Sequence, residues 1–334
     1  MNIAINGFGR IGRAFFRAAF DEHEFTIVAI NDLTDTKTLA YLLKYDSVYG
    51  RYPKEISFDE HHIIVDGEPI QILAQKDPAA LPWKDLAVDV VVESTGFFTS
   101  GEKAKVHLDA GARRVVITAP ATGDVDTLLV GVSDEGFKNP KAITCNASCT
   151  TNSVAPVMQI LLDKFGIEKA GMVTVHGYTA TQKLVDGPDA KDLRRGRAAA
   201  VNIVPSTTGA AEAVIQAIPD LKGKFDAVAM RVPTVTGSLS IMSVLVKGTT
   251  TPEAVNELFV SAAKDPRWAK SVKATTDQLV STDIIGEPYG AIVDLSLTKV
   301  IDGNFIKVFS WYDNEAGYTA TLVEHVRRVG GTLA

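Results

Sequence analysis

The stretch that decides the fold opens the chain: Asn2-Ile3-Ala4-Ile5-Asn6, followed by Gly7-Phe8-Gly9-Arg10-Ile11-Gly12. The first five residues are short and apolar, as a buried parallel strand should be. The next six match G-x-G-x-x-G in full. Behind them Ile11, Ala14, Phe15, Ala18 and Ala19 recur at helical spacing, which predicts a helix with that face inward. Phe25-Thr26-Ile27-Val28-Ala29-Ile30 reads as a second strand. It ends in Asn31-Asp32, and Asp32 lies 20 residues after Gly12.

Each part has a physical role. Gly7 permits the tight turn, Gly9 lets backbone approach a pyrophosphate, and Gly12 allows close helix–strand packing. The helix start offers unpaired N–H groups and a positive dipole end to phosphates. A carboxylate at the tip of the second strand accepts from the adenosine ribose and repels a 2′-phosphate, which favours NAD over NADP. Glycine-rich turns are common, but strand, glycines, helix and strand-terminal acid in that order specify a dinucleotide-binding fold.

Further strands extend the same sheet: Val88–Glu93, Arg114–Ala119 and Ala142–Cys145. Thr95-Gly96 and Thr118, at strand ends, are expected at the carboxyl edge, where ligands sit in doubly wound folds. The chain of 334 residues exceeds the size at which one core usually stops growing, so two domains are expected. A net charge of −6 gives no general reason to expect nucleic acid or an anionic membrane as partner. Any anionic substrate must therefore be held by local groups. No apolar run reaches the roughly 18 residues of a membrane span. Met1-Asn2-Ile3 runs straight into the glycine motif without a basic leader, so the cytosol is the expected compartment.

The chain has two cysteines, Cys145 and Cys149, too few for a disulfide scaffold. Cys145 lies in an apolar strand and reads as core packing, with a resolving thiol as the alternative. Cys149 stands in Asn146-Ala147-Ser148-Cys149-Thr150-Thr151-Asn152, ahead of an amphipathic helix marked by Val154, Val157, Met158, Leu161, Leu162 and Phe165 and ended by Gly166. With Ser148 as N-cap, Cys149 falls in the first turn, where the helix dipole is expected to lower its pKa. The next histidine, His176, ends the strand Gly171–His176 and is the candidate general base and acid. No metal-ligand constellation is read from the sequence.

The long stretch from Gly177 to Thr208 carries Thr179, Thr181, Arg194, Arg195 and Arg197. Ser206-Thr207-Thr208-Gly209 then opens an Ala-rich helix, a cap that is also an anion site. Arg231 sits inside the apolar run Ala227–Val232, where a cation needs an anionic partner. Grouped with one cysteine and one histidine, these residues point to phosphate recognition.

Together these features resemble the glyceraldehyde-3-phosphate dehydrogenase family over essentially the whole chain. The matching segments are Ile5–Arg13, Tyr45-Asp46-Ser47-Val48, Ala147–Asn152, His176–Gln182, Asp186-Gly187-Pro188 and Ser310–Glu315. The resemblance implies an α/β protein with a Rossmann-type doubly wound NAD-binding domain over residues 1–148. An α+β catalytic domain with a mixed or antiparallel sheet would follow over 149–312. Residues 313–334 would return to the first domain as a helix.

By position, Cys149 resembles the family's nucleophile and His176 its acid–base partner. Thr179, Thr181 and Arg231 resemble the pocket for the substrate's C3 phosphate. Ser148, Thr150, Arg195, Thr208 and Gly209 resemble that for attacking inorganic phosphate; the sequence leaves open whether Arg194 or Arg195 reaches the anion. Arg10, Ile11, Asp32, Lys76, Thr118 and Asn314 resemble NAD contacts. The implied enzyme is a cytoplasmic homotetramer that forms a thioester on Cys149, with a phosphorylated aldehyde and inorganic phosphate as substrates. Its nearest alternative is erythrose-4-phosphate dehydrogenase, which both threonines after His176 disfavour. Val235-Thr236-Gly237-Ser238 departs from the family's frequent Pro-Asn-Val-Ser, Lys76 replaces a frequent Arg, and Ser153 a frequent Cys.

Overall fold

A computed structural model describes residues 1–190 and 192–333. The chain divides into two compact units. The first comprises Met1–Leu128, Ser133–Ala147 and the chain from Leu322 onward; the second comprises Leu129–Val132 and Ser148–Thr321.

The first unit is built on a nine-stranded sheet. Its centre is Asn2–Asn6, paired in parallel with Thr26–Asn31 on one side and Val90–Glu93 on the other. From Thr26–Asn31 the sheet continues through Glu68–Leu73 and two antiparallel strands, His62–Val65 and Ile56–Phe58. On the other side Arg114–Ile117, Ile143–Cys145 and Asp126–Thr127 follow in parallel. The chain thus reverses its direction of travel across the sheet beside Asn2–Asn6, the topological switch point at which doubly wound folds bind ligands. Central strands are buried on both faces, with Ile3, Ile5, Val90, Val91 and Val92 fully enclosed, which is why they read as continuous apolar runs.

The observed strands are shorter than the apolar runs: Val90–Glu93, Arg114–Ile117 and Ile143–Cys145. The helix Arg10–Ala19 buries Gly12, Phe15, Phe16 and Ala19. Ala18, expected on that face, is exposed, because the buried stripe is centred on Phe15 and Phe16 rather than on the alanines.

The second unit holds an eight-stranded mixed sheet. Ile167–Gly177 pairs in parallel with Phe225–Val232 and antiparallel with Ser238–Val246, which in turn pairs with Phe305–Tyr312. The helix Cys149–Phe165 packs on this sheet. Its sequence suggested one apolar face. In fact residues 150–158 are all buried, polar Thr150, Thr151, Asn152 and Ser153 included, so its first half is a core helix and only the second is amphipathic. Gly166 ends it at φ 65°. The last helix, Ala316–Gly331, begins in the second unit, and the chain rejoins the first at Leu322 rather than at Asp313. Among the described residues no helix is long and apolar enough to cross a membrane.

Candidate active site

At the switch point of the first unit the glycine turn is tightly built. Gly7 has φ 93°, and a Cβ on Gly12 would come 2.2 Å from the Gly7 carbonyl oxygen, so neither position tolerates a side chain. Gly9 is different: nothing lies within 4 Å of where its Cβ would be. Gly9 is also the N-cap of Arg10–Ala19, and no side chain caps that helix. No side chain therefore occupies this helix start, a cradle suited to a pyrophosphate.

Asp32 accepts from the Phe8 N–H at 2.8 Å and from the Thr34 N–H at 3.0 Å, which fixes its carboxylate beside the turn. Arg10 pairs with Asp46 at 3.0 Å, so its guanidinium is anchored and its place at the cradle rests on the backbone it shares with Ile11. Thr95, Gly96 and Thr118 fall just beyond their strands, and the Thr118 N–H donates to the Glu93 carbonyl. Lys76 is exposed beyond Glu68–Leu73.

In the second unit Ser148 caps Cys149–Phe165 as the sequence suggested, its Oγ accepting from the Thr151 N–H at 3.1 Å. Cys149 is thus the first helical residue, and its Sγ lies 3.4 Å from His176 Nε2. His176 Nδ1 stands 2.6 Å from the Gly177 carbonyl, and reading that contact as a hydrogen bond puts the ring proton on Nδ1. The Nε2 lone pair is left facing the sulfur. The parallel register sets His176 opposite Arg231, whose guanidinium Nη1 donates to the same carbonyl at 3.1 Å and stands 2.6 Å from Nδ1, where with that tautomer two donors face each other.

These contacts decide protonation. Burial, reinforced by the Arg231 charge, pulls the His176 imidazole down to about 3. Burial pushes the Cys149 thiol up, with Arg231 and Thr150 acting against it. The expected lowering by the helix start is therefore outweighed, and the ligand-free pair is a thiol beside a neutral imidazole. Arg231 forms no ion pair among the described residues. Its expected anionic partner is not a protein carboxylate, which leaves the guanidinium available to a ligand.

The other candidates fall into groups. The Thr179 and Thr181 hydroxyls lie 3.0 Å apart, two and four residues beyond the carbonyl that receives Arg231. Arg195 donates to Ser206 Oγ at 3.1 Å and to the Thr207 carbonyl at 3.4 Å. It thereby joins the turn of Thr208 and Gly209, which opens the helix Ala210–Ala217. Arg194 instead pairs with Asp192 at 3.3 Å and is exposed. Thr150 is buried, and its hydroxyl bonds Tyr312 at 3.0 Å. Asn314 Oδ1 accepts from Thr236 Oγ1, the Gly237 N–H and Ser238 Oγ at 3.0–3.3 Å. With the oxygen saturated, the Asn314 amide N–H groups remain to donate to a ligand carbonyl.

Three features escaped the sequence reading. Tyr312 is buried, its ring lies edge-on to His176 at 5.9 Å, and its hydroxyl sits 2.7 Å from Thr174 Oγ1. Thr236 and Gly237 form the cradle of Asn314. Phe97 is three-quarters exposed beside Thr95-Gly96. Only the last carried a local signal, an aromatic directly after a turn at the carboxyl edge. Cys145 is fully buried and lies 3.4 Å from Thr127 Oγ1, and burial pushes its thiol up, as a core cysteine requires. Among the described residues no group of three or more His, Cys, Asp or Glu could hold a metal ion.

Two family models match the chain. The NAD binding domain of glyceraldehyde 3-phosphate dehydrogenase matches residues 1–101, and its C-terminal domain matches residues 148–314. The glyceraldehyde-3-phosphate dehydrogenase of Thermotoga maritima is 51% identical over 324 residues, which cover 96% of this chain and 97% of that protein. That of Mycobacterium avium is 50% identical over 341 residues, covering 100% of this chain and 99% of its own length. That of Clostridium pasteurianum is 47% identical, with 96% of each chain covered. A thiol facing an imidazole lone pair, an open glycine cradle and likeness over the full length agree: this chain belongs to the glyceraldehyde-3-phosphate dehydrogenase family.

Proposed function

We propose that this protein oxidises D-glyceraldehyde 3-phosphate with NAD and inorganic phosphate to 1,3-bisphosphoglycerate, through a thioester on Cys149. The observation that carries the proposal is the 3.4 Å approach of Cys149 Sγ to His176 Nε2. The first unit would hold the cofactor on Gly7, Gly9, Arg10, Ile11, Gly12, Asp32, Lys76, Thr95, Gly96 and Thr118. Asn314 would donate its amide N–H to the cofactor's carboxamide. NAD, when bound, supplies the acceptor for the hydride of the oxidation.

Every other task falls to side chains of the second unit. Arg231, with Thr179 and Thr181, takes the substrate's C3 phosphate. His176 Nε2 accepts the thiol proton as Sγ attacks the aldehyde carbon, and returns it to the carbonyl oxygen to give a hemithioacetal. Nε2 then removes the hydroxyl proton as that carbon is oxidised to the thioester. An oxygen of inorganic phosphate, held by Arg195, Thr208 and Gly209 with Ser148 and Thr150, attacks the acyl carbon. The carbon–sulfur bond breaks, and Sγ recovers its proton from His176. Burial is the main cause that holds His176 down, and the phosphate dianion on Arg231 offsets the part that the guanidinium charge adds, so substrate binding itself raises the basicity of Nε2.

Leu184, Val185, Leu193, Val201 and Ile203, all 71% or more exposed, crowd one segment. Solvent is a poor partner for such a segment, which supports a homotetramer in which copies of the chain cover it. Light scattering at micromolar concentration would reveal a monomer if that is wrong. We assign the enzyme to the cytoplasm.

The test is NADH absorbance in a mixture of protein, NAD, phosphate and D-glyceraldehyde 3-phosphate. Parallel cuvettes omit phosphate, replace NAD by NADP, or offer erythrose 4-phosphate. Fast, phosphate-dependent NADH formation from the triose is the expected result. Faster turnover of erythrose 4-phosphate, indifferent to phosphate, would overturn the assignment.

A further inference from the structure

Beneath the carboxyl edge of the first unit runs a chain of buried polar side chains that no step above uses. Trp83 Nε1–H donates to His107 Nδ1 at 3.1 Å. His107 Nδ1 is therefore an acceptor, the ring is neutral, and Nε2–H donates to Glu93 Oε2 at 3.0 Å. Asn6 Nδ2 donates to the same oxygen at 2.6 Å. Glu93 Oε1 accepts from the Thr95 N–H at 2.9 Å and from the Thr95 hydroxyl. On the far side Asn31 Nδ2 donates to Asn6 Oδ1 at 2.7 Å and to the Gln75 carbonyl at 3.0 Å, while Asn31 Oδ1 accepts from the Gln75 N–H at 2.9 Å.

Trp83 and His107 are fully buried, and Glu93 is 2% exposed. Burying a carboxylate is costly unless donors surround it. Here four donors do so, and no cation among the described residues contributes. The direction of every bond is set. Glu93 only accepts, so Asn6 must present its amide nitrogen to Glu93 and its oxygen to Asn31. The Thr95 hydroxyl gives its proton to Glu93 and accepts from the Phe97 N–H at 3.1 Å, so toward a ligand it can only accept. The same spine reaches the glycine turn through Ser94, whose Oγ donates to the Gly7 carbonyl at 2.6 Å, and it reaches the loop before Lys76 through Gln75.

We propose that Glu93 and His107 are positioning residues for the dinucleotide: together they lock the ends of three neighbouring strands and turn Thr95 into a pure acceptor for a donor group of the ligand. The inference rests on the first unit being the NAD site. It adds that the affinity of that site depends on a buried, cation-free carboxylate which does not itself touch the cofactor.

The experiment measures binding of NAD and of ADP-ribose to the full chain by calorimetry, with steady-state kinetics and a thermal midpoint for each variant. Glu93→Gln places an amide NH2 against two of the four donors, and His107→Phe removes one donor and strands the Trp83 N–H. His107→Gln can still offer an N–H to Glu93 and an oxygen to Trp83. Both disruptive variants are expected to weaken NAD and ADP-ribose alike by about tenfold or more, the worth of a hydrogen bond to a charged group. Their kcat at saturating NAD should stay within about twofold, and His107→Gln should restore affinity to within about threefold.

Unchanged affinity in Glu93→Gln and His107→Phe, with only the thermal midpoint lowered, would overturn the inference. So would a fall in kcat at unchanged affinity, or a His107→Gln chain as weak as His107→Phe. Should Glu93→Gln fail to fold, the two His107 variants decide between these outcomes. A wild-type chain that binds neither ligand would instead sink the reading of the first unit as the NAD site.

Discussion

Two buried imidazoles, one in each unit, do opposite things with the same ring. His107 spends both nitrogens inside the protein, accepting from Trp83 and donating to Glu93. His176 spends only one, donating from Nδ1 to the Gly177 carbonyl, and its second nitrogen faces a half-buried sulfur. Burial is nearly identical, 0% and 2% exposure. What separates a positioning histidine from a reactive one is therefore a spare lone pair aimed at a nucleophile. Neither burial nor residue type makes that distinction.

The largest effects should come from breaking the second imidazole's arrangement. His176→Asn can keep the bond to Gly177 but removes the base, so kcat should fall by about 10²–10⁴-fold, the usual contribution of general acid–base catalysis. Cys149→Ser should abolish turnover outright. Both variants should bind ADP-ribose like the wild type, because the glycine cradle lies in the other unit. Full activity in either would refute the thioester mechanism, and a lost ADP-ribose site would show that the two regions are not separable.

Next in size is a dependence of stability on pH. His176 and His325 are both held down to about 3 by burial, against an ordinary 6.5. Both folded values are depressed, so the folded chain keeps these rings neutral while the unfolded chain binds protons below about pH 6.5. Their stabilising contribution is complete above that pH and is lost as pH falls toward 3. Each ring contributes a slope of about 1.4 kcal/mol per pH unit, so the folded state should lose about 2 kcal/mol per histidine between pH 7 and 5. His325 accepts no role in catalysis here: its Nδ1–H donates to the Leu128 carbonyl at 3.1 Å, and Nε2 meets the Thr144 hydroxyl at 2.7 Å. His325→Gln should therefore remove about 1.4 kcal/mol per pH unit from the slope in urea unfolding without altering kcat. An unchanged slope would mean that the ring is not buried neutral.

How much of this could be read in the sequence depends on how local each feature is. The first strand, the glycine turn, the helix and Asp32 lie within the first 32 residues, and periodicity finds all of them. Cys149 at a capped helix start is equally local. The direction of its pKa is not, because the dipole is a property of the segment, whereas burial, which pushes the thiol up, is a property of everything packed around it. The meeting of His176 with Arg231 depends on the register of two strands, and Tyr312 comes to Thr150 from 162 residues away. Ala18 and Phe16 exchanged roles because small residues leave the direction of a helical face poorly defined. Among the arginines, only the folded loop distinguishes Arg195, on Ser206, from Arg194, on Asp192.

The smallest expected effect asks whether the rule about spare atoms extends beyond imidazoles. Asn314 spends its oxygen on three donors and keeps its amide N–H groups, so its orientation is set in the same way as that of His176. One of those donors is the Gly237 N–H, at a position where this chain departs from the family's frequent valine. Gly237 has φ 93°, and a Cβ there would come 2.5 Å from the Ser281 carbonyl oxygen. Gly237→Ala must therefore strain the backbone and shift the N–H that holds Asn314. The expected cost is about 1–2 kcal/mol in stability, with a comparable loss in the binding of NAD. ADP-ribose lacks the carboxamide that Asn314 would hold, so its affinity should not change. If both ligands weakened equally, Asn314 would not be reading the nicotinamide. If neither weakened while stability fell, the amide would be held well enough by Thr236 and Ser238, and the glycine would matter to the turn alone.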